Sequence, residues 1–344
     1  MAISEVSANP VGRPWCNVGT DMSPNLLLMC KLLFALLLLH DFFQKIADPF
    51  LPFIPVLDLF RSHTGLFTMA LKTALLGAGF CLVMNVRVRA AAVVLGLVVV
   101  LFILSSKTVY RNHIFIVGCL FLLSGLHRSD EDPWLLRLQL SIIYLGAFTN
   151  KLCDPDWRSG EFMHHWLHTE LQNPYYECLR PLLPEPWIAI LISWMVITSE
   201  FLLMILFLVK RWNNVGVWLA VCMHLGFFVV VGRRIFGHFL EDMLLAMLVF
   251  LHWPKGTIQV RVRERLHELT ARLLPCMSWD RQFRLGPPLL RGGKDWFEVS
   301  YGDRKVNNSI GLLQFLKYNT AFYVGVFCLF NGVAFLTSRL AVFS

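Results

Sequence analysis

Residues 90–106 read AAAVVLGLVVVLFILSS. The run carries no charge and is apolar on every helical face until its closing serines. A helix hydrophobic all round belongs in a large core or in lipid, and repetition of the pattern along the chain decides between them. Working outward, eight apolar runs can be read, at 24–46, 66–86, 90–107, 113–127, 135–152, 187–209, 214–232 and 238–253. Each approaches the roughly 20 residues that a hydrocarbon core of about 30 Å requires. Composition agrees: 56% of the 344 residues are hydrophobic and 16% charged, against about 25% charged in soluble domains. The expected fold class is an all-α polytopic membrane protein of about eight transmembrane helices with a small mixed C-terminal tail.

Three segments follow. Residues 1–23 form an N-terminal tail without the basic-then-apolar pattern of a signal peptide, so the helix from Asn25 is read as retained. Residues 24–253 form the transmembrane domain, and 254–344 a polar and mixed tail. Within the tail, TIQVRVRERLHELTARLL reads as a basic amphipathic helix for an anionic surface, and FEVSYGDRKVNN as a hairpin around Gly302-Asp303. The last apolar run, 319–336, is either a ninth span or a helix packed on the domain.

The net charge of +8 does not imply nucleic acid, because membrane proteins keep basic residues on their loops. The basic tail favours an inward N-terminus and an outward loop at 153–186. That loop carries Trp157, Trp166, Tyr175 and Tyr176, types that prefer the headgroup level. Pro49, Pro52 and Pro55 break the chain into an interfacial segment with Phe50, Phe53 and Phe60. The nine cysteines include no CxxC pair and no zinc-like spacing, so no metal set is read. Cys153 and Cys178 share the long loop and could pair in an oxidising compartment.

Alternating the spans places His40, Asp41, Lys72, Lys107, Arg111, His113, Lys151, Arg233, Arg234, His238, Glu241 and Asp242 toward one face, with His224 at mid-depth. Only Lys31 falls in the other half, and Glu200 near the middle. Ionisable groups in a bilayer are costly unless paired or hydrated, so a one-sided set implies a polar cavity on the side of the long loop. Long side chains such as Lys45, Lys107 and Arg158 can instead snorkel to headgroups; short ones cannot. At the end of an apolar helix under a lid, Lys151 reads as a general base, with His113 or His224 to move protons or hold an oxyanion.

YLGAFTNKLCDPDWRSGEFMHHWL, residues 144–167, resembles the Tyr-x-x-Ala-Gly-x-x-Lys-Leu-x-x-Asp-Trp-x-x-Gly segment of the vitamin K-dependent gamma-carboxylase family, whose membrane domain is called HTTM. NHIFIVGCLFLLS, SEFLLMILFLVKRWNNVGV and VCMHLGFFVVVGRRIFGHFLEDMLLAML follow the family in the same order, so that the resemblance spans residues 24–253. It implies an enzyme in which Lys151 deprotonates a quinol such as reduced vitamin K, with His113 and His224 in the pocket. The expected substrate-binding set is Tyr144, Trp157, Arg111, Arg233, His238 and Glu241. One residue more than the family spacing separates Lys151 from Trp157, so either Asp154 or Asp156 could be the motif's aspartate. The family's large lumenal β-rich part has no counterpart, and full glutamate carboxylation is not expected. The expected partners are membrane lipid and a lipophilic small molecule or a peptide. The alternative is a non-catalytic transporter or peptide-maturation partner on the same scaffold. WFEVSYGDRKVNNSIGLLQFLKYN is similar to the end of DCC-type thioredoxin-like proteins, but without their Cys-x-x-Cys, Cys276 standing alone.

Overall fold

The computed structural model describes residues 11–47, 49–128, 132–231, 233–254, 256–275, 277, 282–289 and 294–340, without the side chains of 229–237 and 333–340. Lys255 and Cys276 lie outside these residues. The chain divides into two compact units, Met1–Leu136 with Leu245–Val249, and Arg137–Leu244 with Phe250–Ser344.

The first unit is helical. Its elements are α1 (Pro24–Leu39), the short α2 (Phe42–Lys45), a 3-10 segment Pro55–His63, α3 (Thr64–Val83), α4 (Val88–Ser105) and α5 (Asn112–Leu126). Leu27, Met29, Cys30 and Leu33 of α1 are fully buried, as are Ala92, Leu95 and Val99 of α4 and Leu120 and Phe121 of α5. Residues 11–22 of the tail fold against this bundle. The Asn85 amide donates to the Arg13 and Cys16 carbonyls at 2.8 and 2.7 Å. The Lys31 ammonium donates to the Pro14 carbonyl at 2.8 Å and to Asn17 Oδ1 at 3.1 Å. The tail thus solvates a charge that apolar α1 could not. The proline-broken segment is tied to the end of α4: Leu51 N–H donates to Ser105 O and Lys107 N–H to Leu51 O, both at 2.9 Å.

Small residues let α4 and α5 approach. A Cβ on Gly96 would stand 2.7 Å from the Leu122 nitrogen and 2.8 Å from the Gly118 oxygen, and one on Gly125 2.5 Å from the Arg89 oxygen. Arg89 of α4 donates to the carbonyls of Gly125 and Leu126 at 3.1 and 3.2 Å. Those are the last-turn carbonyls of α5, which have no partner within their own helix.

The second unit contains α6 (Trp134–Cys153, whose first residues lie in the first unit), α7 (Pro155–Ser159), α8 (Glu161–His164), a π-helical turn His165–Glu170, α9 (Pro174–Leu179), α10 (Trp187–Leu208), α11 (Asn213–Val231) and α12 (Arg233–Ala246). The tail follows with β1 (Ile258–Val262), α13 (Glu264–Leu273), β2 (Phe283–Leu285), β3 (Phe297–Tyr301), β4 (Arg304–Asn307), α14 (Asn308–Tyr318) and α15 (Thr320–Leu340). The sheet order is β2-β1-β3-β4, with β1 parallel to β2 and antiparallel to β3, and β3 antiparallel to β4. Ile258, Val260, Val262, Phe283, Phe297, Val299 and Phe315 form its core.

Three sequence expectations need comment. The first half of the expected basic amphipathic helix is strand β1, and only Glu264–Leu273 is helical. Ile258, Val260 and Val262 are buried between a more exposed Gln259 and Arg261, the period of two that a half-buried strand requires; arginines alternating with valines had imitated a helical face. The hairpin around Gly302-Asp303 is present as β3–β4. Eight spans are more than length and composition alone support among the described residues. Three helical stretches qualify: Pro55–Val83, Val88–Ser105 and Trp187–Leu208. The pair Asn308–Tyr318 and Thr320–Gly332 qualifies only jointly, bent by 76°. The helices Pro24–Leu39, Asn112–Leu126 and Asn213–Phe228 are apolar but short: at 1.5 Å per residue, 16 residues cover about 24 Å of a core of about 30 Å. The region expected to span as 238–253 is broken up, with Glu241 and Asp242 inside α12 and a 3-10 turn, Met247–Phe250, after Ala246.

The packing of α4 on α5 makes Gly96→Ala destabilising by about 1–3 kcal/mol, the usual cost of overpacking. Gly77→Ala in α3, where an added Cβ meets nothing within 4 Å, should be neutral or stabilising. Thermal unfolding of the two variants in the same detergent checks the contrast.

Candidate functional site

The site grows from one face of α6. Arg137, Tyr144 and Lys151 recur every seven residues, which keeps them on a single stripe of a helix. Each has a specific partner. The guanidinium of Arg137 donates to the Phe207 and Leu208 carbonyls of α10 at 3.2 and 2.6 Å. As Arg89 does for α5, it satisfies last-turn carbonyls that an apolar setting would otherwise strand. The Tyr144 hydroxyl meets His224 Nε2 of α11 at 2.8 Å. The Lys151 ammonium donates to Glu200 Oε1 of α10 at 2.7 Å and lies 5.1 Å from the centre of the Trp157 ring.

α10 presents Ser193, Val196, Ile197, Glu200, Leu203 and Phe207 on its buried face. This is the i, i+3, i+4, i+7 pattern of a core-facing helix, with one carboxylate in it. The Lys151 side chain is 19% exposed and that of Glu200 8%, so the ion pair is largely withdrawn from solvent. Two atoms complete the geometry. Glu200 Oε2 and His224 Nδ1 are buried and have no hydrogen-bond partner. A buried polar atom left unmatched costs about 1–3 kcal/mol, and such atoms mark places where another polar group belongs. Around them Tyr144 packs on Phe207 at 5.5 Å, Phe207 stacks on Phe250 at 4.3 Å, and His224 meets Phe239 edge-on at 6.2 Å.

The loop after α6 is folded onto α10. Asp154 is the N-cap of α7, its carboxylate accepting from Asp156 N–H at 3.0 Å. The two aspartates that compete for the motif therefore differ in role: Asp154 caps and Asp156 sits exposed in the first turn. Ser193 donates to the Trp157 carbonyl at 2.5 Å and Trp194 Nε1 to the Arg158 carbonyl at 3.3 Å. Gly160 has φ +79°, and an added Cβ would stand 2.6 Å from the Ile190 nitrogen. Both the left-handed backbone and the close approach to α10 require glycine there. Met163, Leu167, Tyr176 and Ala189 form a small core beneath Trp157 and Trp166.

A polar network crosses this loop. His164 Nδ1 meets the Tyr176 hydroxyl at 2.8 Å, and His168 Nδ1 meets Glu177 Oε1 at 2.6 Å. Arg180 bonds to Glu185 at 2.9 Å. Burial pushes the Tyr176 phenol up. The hydrogen bond from His168 holds the Glu177 carboxyl below its ordinary value of 4.5.

In the second unit Lys151 is thus placed beside Trp157 and Glu200, and Tyr144 beside His224, the two sets standing seven residues apart on α6. Glu241 is buried near exposed His238, with His238 Nδ1 at 3.8 Å. The Arg233 side chain lies outside the described residues. Arg111 and His113 belong to the first unit, at the start of α5, where Arg111 bonds to the Tyr110 carbonyl at 2.8 Å. Cys153 and Cys178 are free, exposed thiols, so the disulfide considered from sequence is not formed. Sequence reasoning left out Arg137, gave Glu200 no role, and passed over the histidines of the loop. The seven-residue spacing to Tyr144 could have flagged Arg137. The single charged residue in the 22-residue helix Trp187–Leu208 could have flagged Glu200.

Residues 132–253 match the HTTM domain family. The match contains α6 to α12 and every residue of the Lys151–Glu200 and Tyr144–His224 pairs. No curated protein and no solved structure matches the chain.

Removing one partner of a buried ion pair typically costs about 3–5 kcal/mol, whereas removing both is often near neutral. Lys151→Met and Glu200→Gln should each lower the melting temperature of the detergent-solubilised protein. The double variant should recover most of the loss, as a double-mutant cycle will measure. The Glu177 carboxyl, depressed in the folded loop, adds stability above its unfolded value of 4.5 that is lost as pH falls through the lower folded value. Proteolysis within 161–186 should therefore accelerate below that pH in the wild type and lose this pH dependence in Glu177→Gln.

Proposed function

We propose that the second unit carries a membrane-embedded proton-transfer site acting on a lipophilic, quinol-like substrate, within an integral multi-pass domain of about eight crossings. In such a domain the short helices α1, α5 and α11 complete their spans with flanking turns. The observation that carries this reading is the Lys151–Glu200 pair, in which one carboxylate oxygen is engaged and the other is buried with no donor.

The paired geometry refines the role read from sequence. An isolated lysine would act as a neutral amine; this one donates a hydrogen bond to a carboxylate. Glu200 Oε2 is the open acceptor for a substrate proton, and the Lys151 ammonium is the adjacent positive charge for the oxyanion that proton loss creates. That is electrostatic stabilisation aimed at developing charge, together with general base catalysis. His224, hydrogen-bonded to Tyr144 on one ring nitrogen and open on the other, can hold a second polar group of the same ligand. Trp157 orients the ammonium through its ring face, and Phe148 packs on Phe201 at 5.0 Å.

The chemistry of two unmatched polar atoms, a cation and aromatic neighbours would complement a flat aromatic diol. Such a quinol, when bound, supplies an acidic O–H and an oxidisable ring. The HTTM match supports the family setting of this reading. Carboxylation of a peptide glutamate is a finer assignment that neither the site geometry nor the domain match carries.

General acid–base groups contribute about 10²–10⁴-fold in rate. Oxidation of a soluble naphthohydroquinone by dissolved dioxygen, the added two-electron acceptor, catalysed by the reconstituted protein, should fall by that order in Lys151→Met and in Glu200→Gln, with a smaller loss in His224→Gln. Equal rates in wild type and Lys151→Met, both at the uncatalysed level, leave the non-catalytic transporter or maturation partner as the better reading.

A further inference from the structure

A groove of about 610 Å³ opens on the first unit, between the segment around α2 and the N-terminal half of α3. Its walls include Phe43, Phe50, Thr64, Thr68, Met69 and Lys72. Thr64, Thr68 and Lys72 are four residues apart, so they make one polar stripe down α3, facing aromatic rings. Among the described residues no carboxylate lines the groove. Among the same described residues, the Lys72 ammonium has the Phe43 ring as its partner, 5.2 Å from the centroid.

This lysine sits two turns into a helix apolar enough to cross a membrane. An ionisable group at such a position is paired, hydrated or functional. Met69, which lines the groove, and Leu66, one turn before it on α3, are 62% and 61% exposed, apolar surface that a bilayer would cover. At the head of the stripe, the 3-10 segment Pro55–His63 carries an exposed Asp58–Arg61 ion pair, as suits the water-facing end. A long lysine leans toward the N-terminus of its helix, and hence toward that end. The groove therefore offers a cation and two hydroxyls near the interface, and an apolar floor leading into the hydrocarbon.

We propose that this groove is a binding site for an acidic membrane phospholipid, its phosphate held by Lys72 with Thr68 and Thr64, and one acyl chain lying along Met69. Charge complementarity selects the occupant: an ammonium in a groove lined by no carboxylate among the described residues takes an anion, and the apolar floor demands that the anion carry a tail. The inference shares with the proposed function the placement of the chain in a membrane and is independent of its chemistry.

The test uses the full-length protein in vesicles of phosphatidylcholine with and without phosphatidylglycerol. A charge-assisted hydrogen bond is worth about one to two powers of ten in affinity. After purification, Lys72→Gln should retain about tenfold less phosphatidylglycerol per protein, counted by native mass spectrometry, and Lys72→Arg should retain wild-type levels. A ligand that binds only the folded state raises its stability. Phosphatidylglycerol should therefore raise the melting temperature of the wild type and leave Lys72→Gln unmoved, while the two melt alike in phosphatidylcholine alone. Equal retention in wild type and Lys72→Gln overturns the proposal. So does displacement of the bound species by inorganic phosphate, which identifies a phosphate site indifferent to the tail. Release of the chain from membranes by an alkaline wash removes the membrane placement itself, and is read separately from lipid retention.

Discussion

A charge carried on an apolar helix must find its counter-group, and in the second unit this requirement organises the packing. α6 bears Arg137 and Lys151 on one stripe, and α10 answers both, with the Phe207 and Leu208 carbonyls at one level and the Glu200 carboxylate at another. Hydrophobic contact alone would let two apolar helices slide or rotate against one another, since one leucine resembles the next. Two polar contacts at separate levels remove that freedom, because a slip of one turn would strand a guanidinium, a carboxylate or both at a cost of several kcal/mol. The register so fixed lines up Tyr144 with His224.

The loop after α6 extends the same logic. It is not a free connection: Ser193 and Trp194 of α10 hold the carbonyls of Trp157 and Arg158, and Gly160 lets the backbone close on Ile190. Trp157 is thereby fixed beside the Lys151 ammonium. The Asp154-capped turn into α7 carries the chain from Lys151 to Trp157.

These features differ in how far they can be read from the chain alone. Apolar runs such as 90–106 and 187–208 are visible because every residue in them reports the same environment. The number of crossings is less visible, because run length is diluted by Lys151 and Arg137 in α6 and by Glu241 and Asp242 in α12, and hydropathy cannot say whether such charges are paired. Strand β1 was hidden by Arg261 and Arg263, which gave alternating valines the look of a basic helix. Lys151 could be singled out as a misplaced charge. Its partner could not, since Glu200 lies 49 residues away and only folding makes them neighbours. Arg137 was hidden for a related reason: its partners are backbone carbonyls, which carry no sequence signature.

Lys151 and Lys72 show how one residue type takes opposite roles under one rule. Lys151 has a carboxylate at 2.7 Å, so its charge is already compensated, and the unmet demand passes to the carboxylate's second oxygen and to His224 Nδ1. Under the proposed function a ligand there would bring hydrogen-bonding groups of its own, which favours a polar-edged aromatic molecule over a plain acyl chain. Lys72 has a phenyl ring and two hydroxyls near it and, among the described residues, no acid lining its groove, so in the proposed lipid site the unmet demand is the charge itself, which an anion would answer. The first arrangement is suited to moving a proton because its charges balance before a ligand arrives and can be redistributed when one does. The second, in the proposed lipid site, balances only when an anion stays bound, which suits a resident lipid and not turnover.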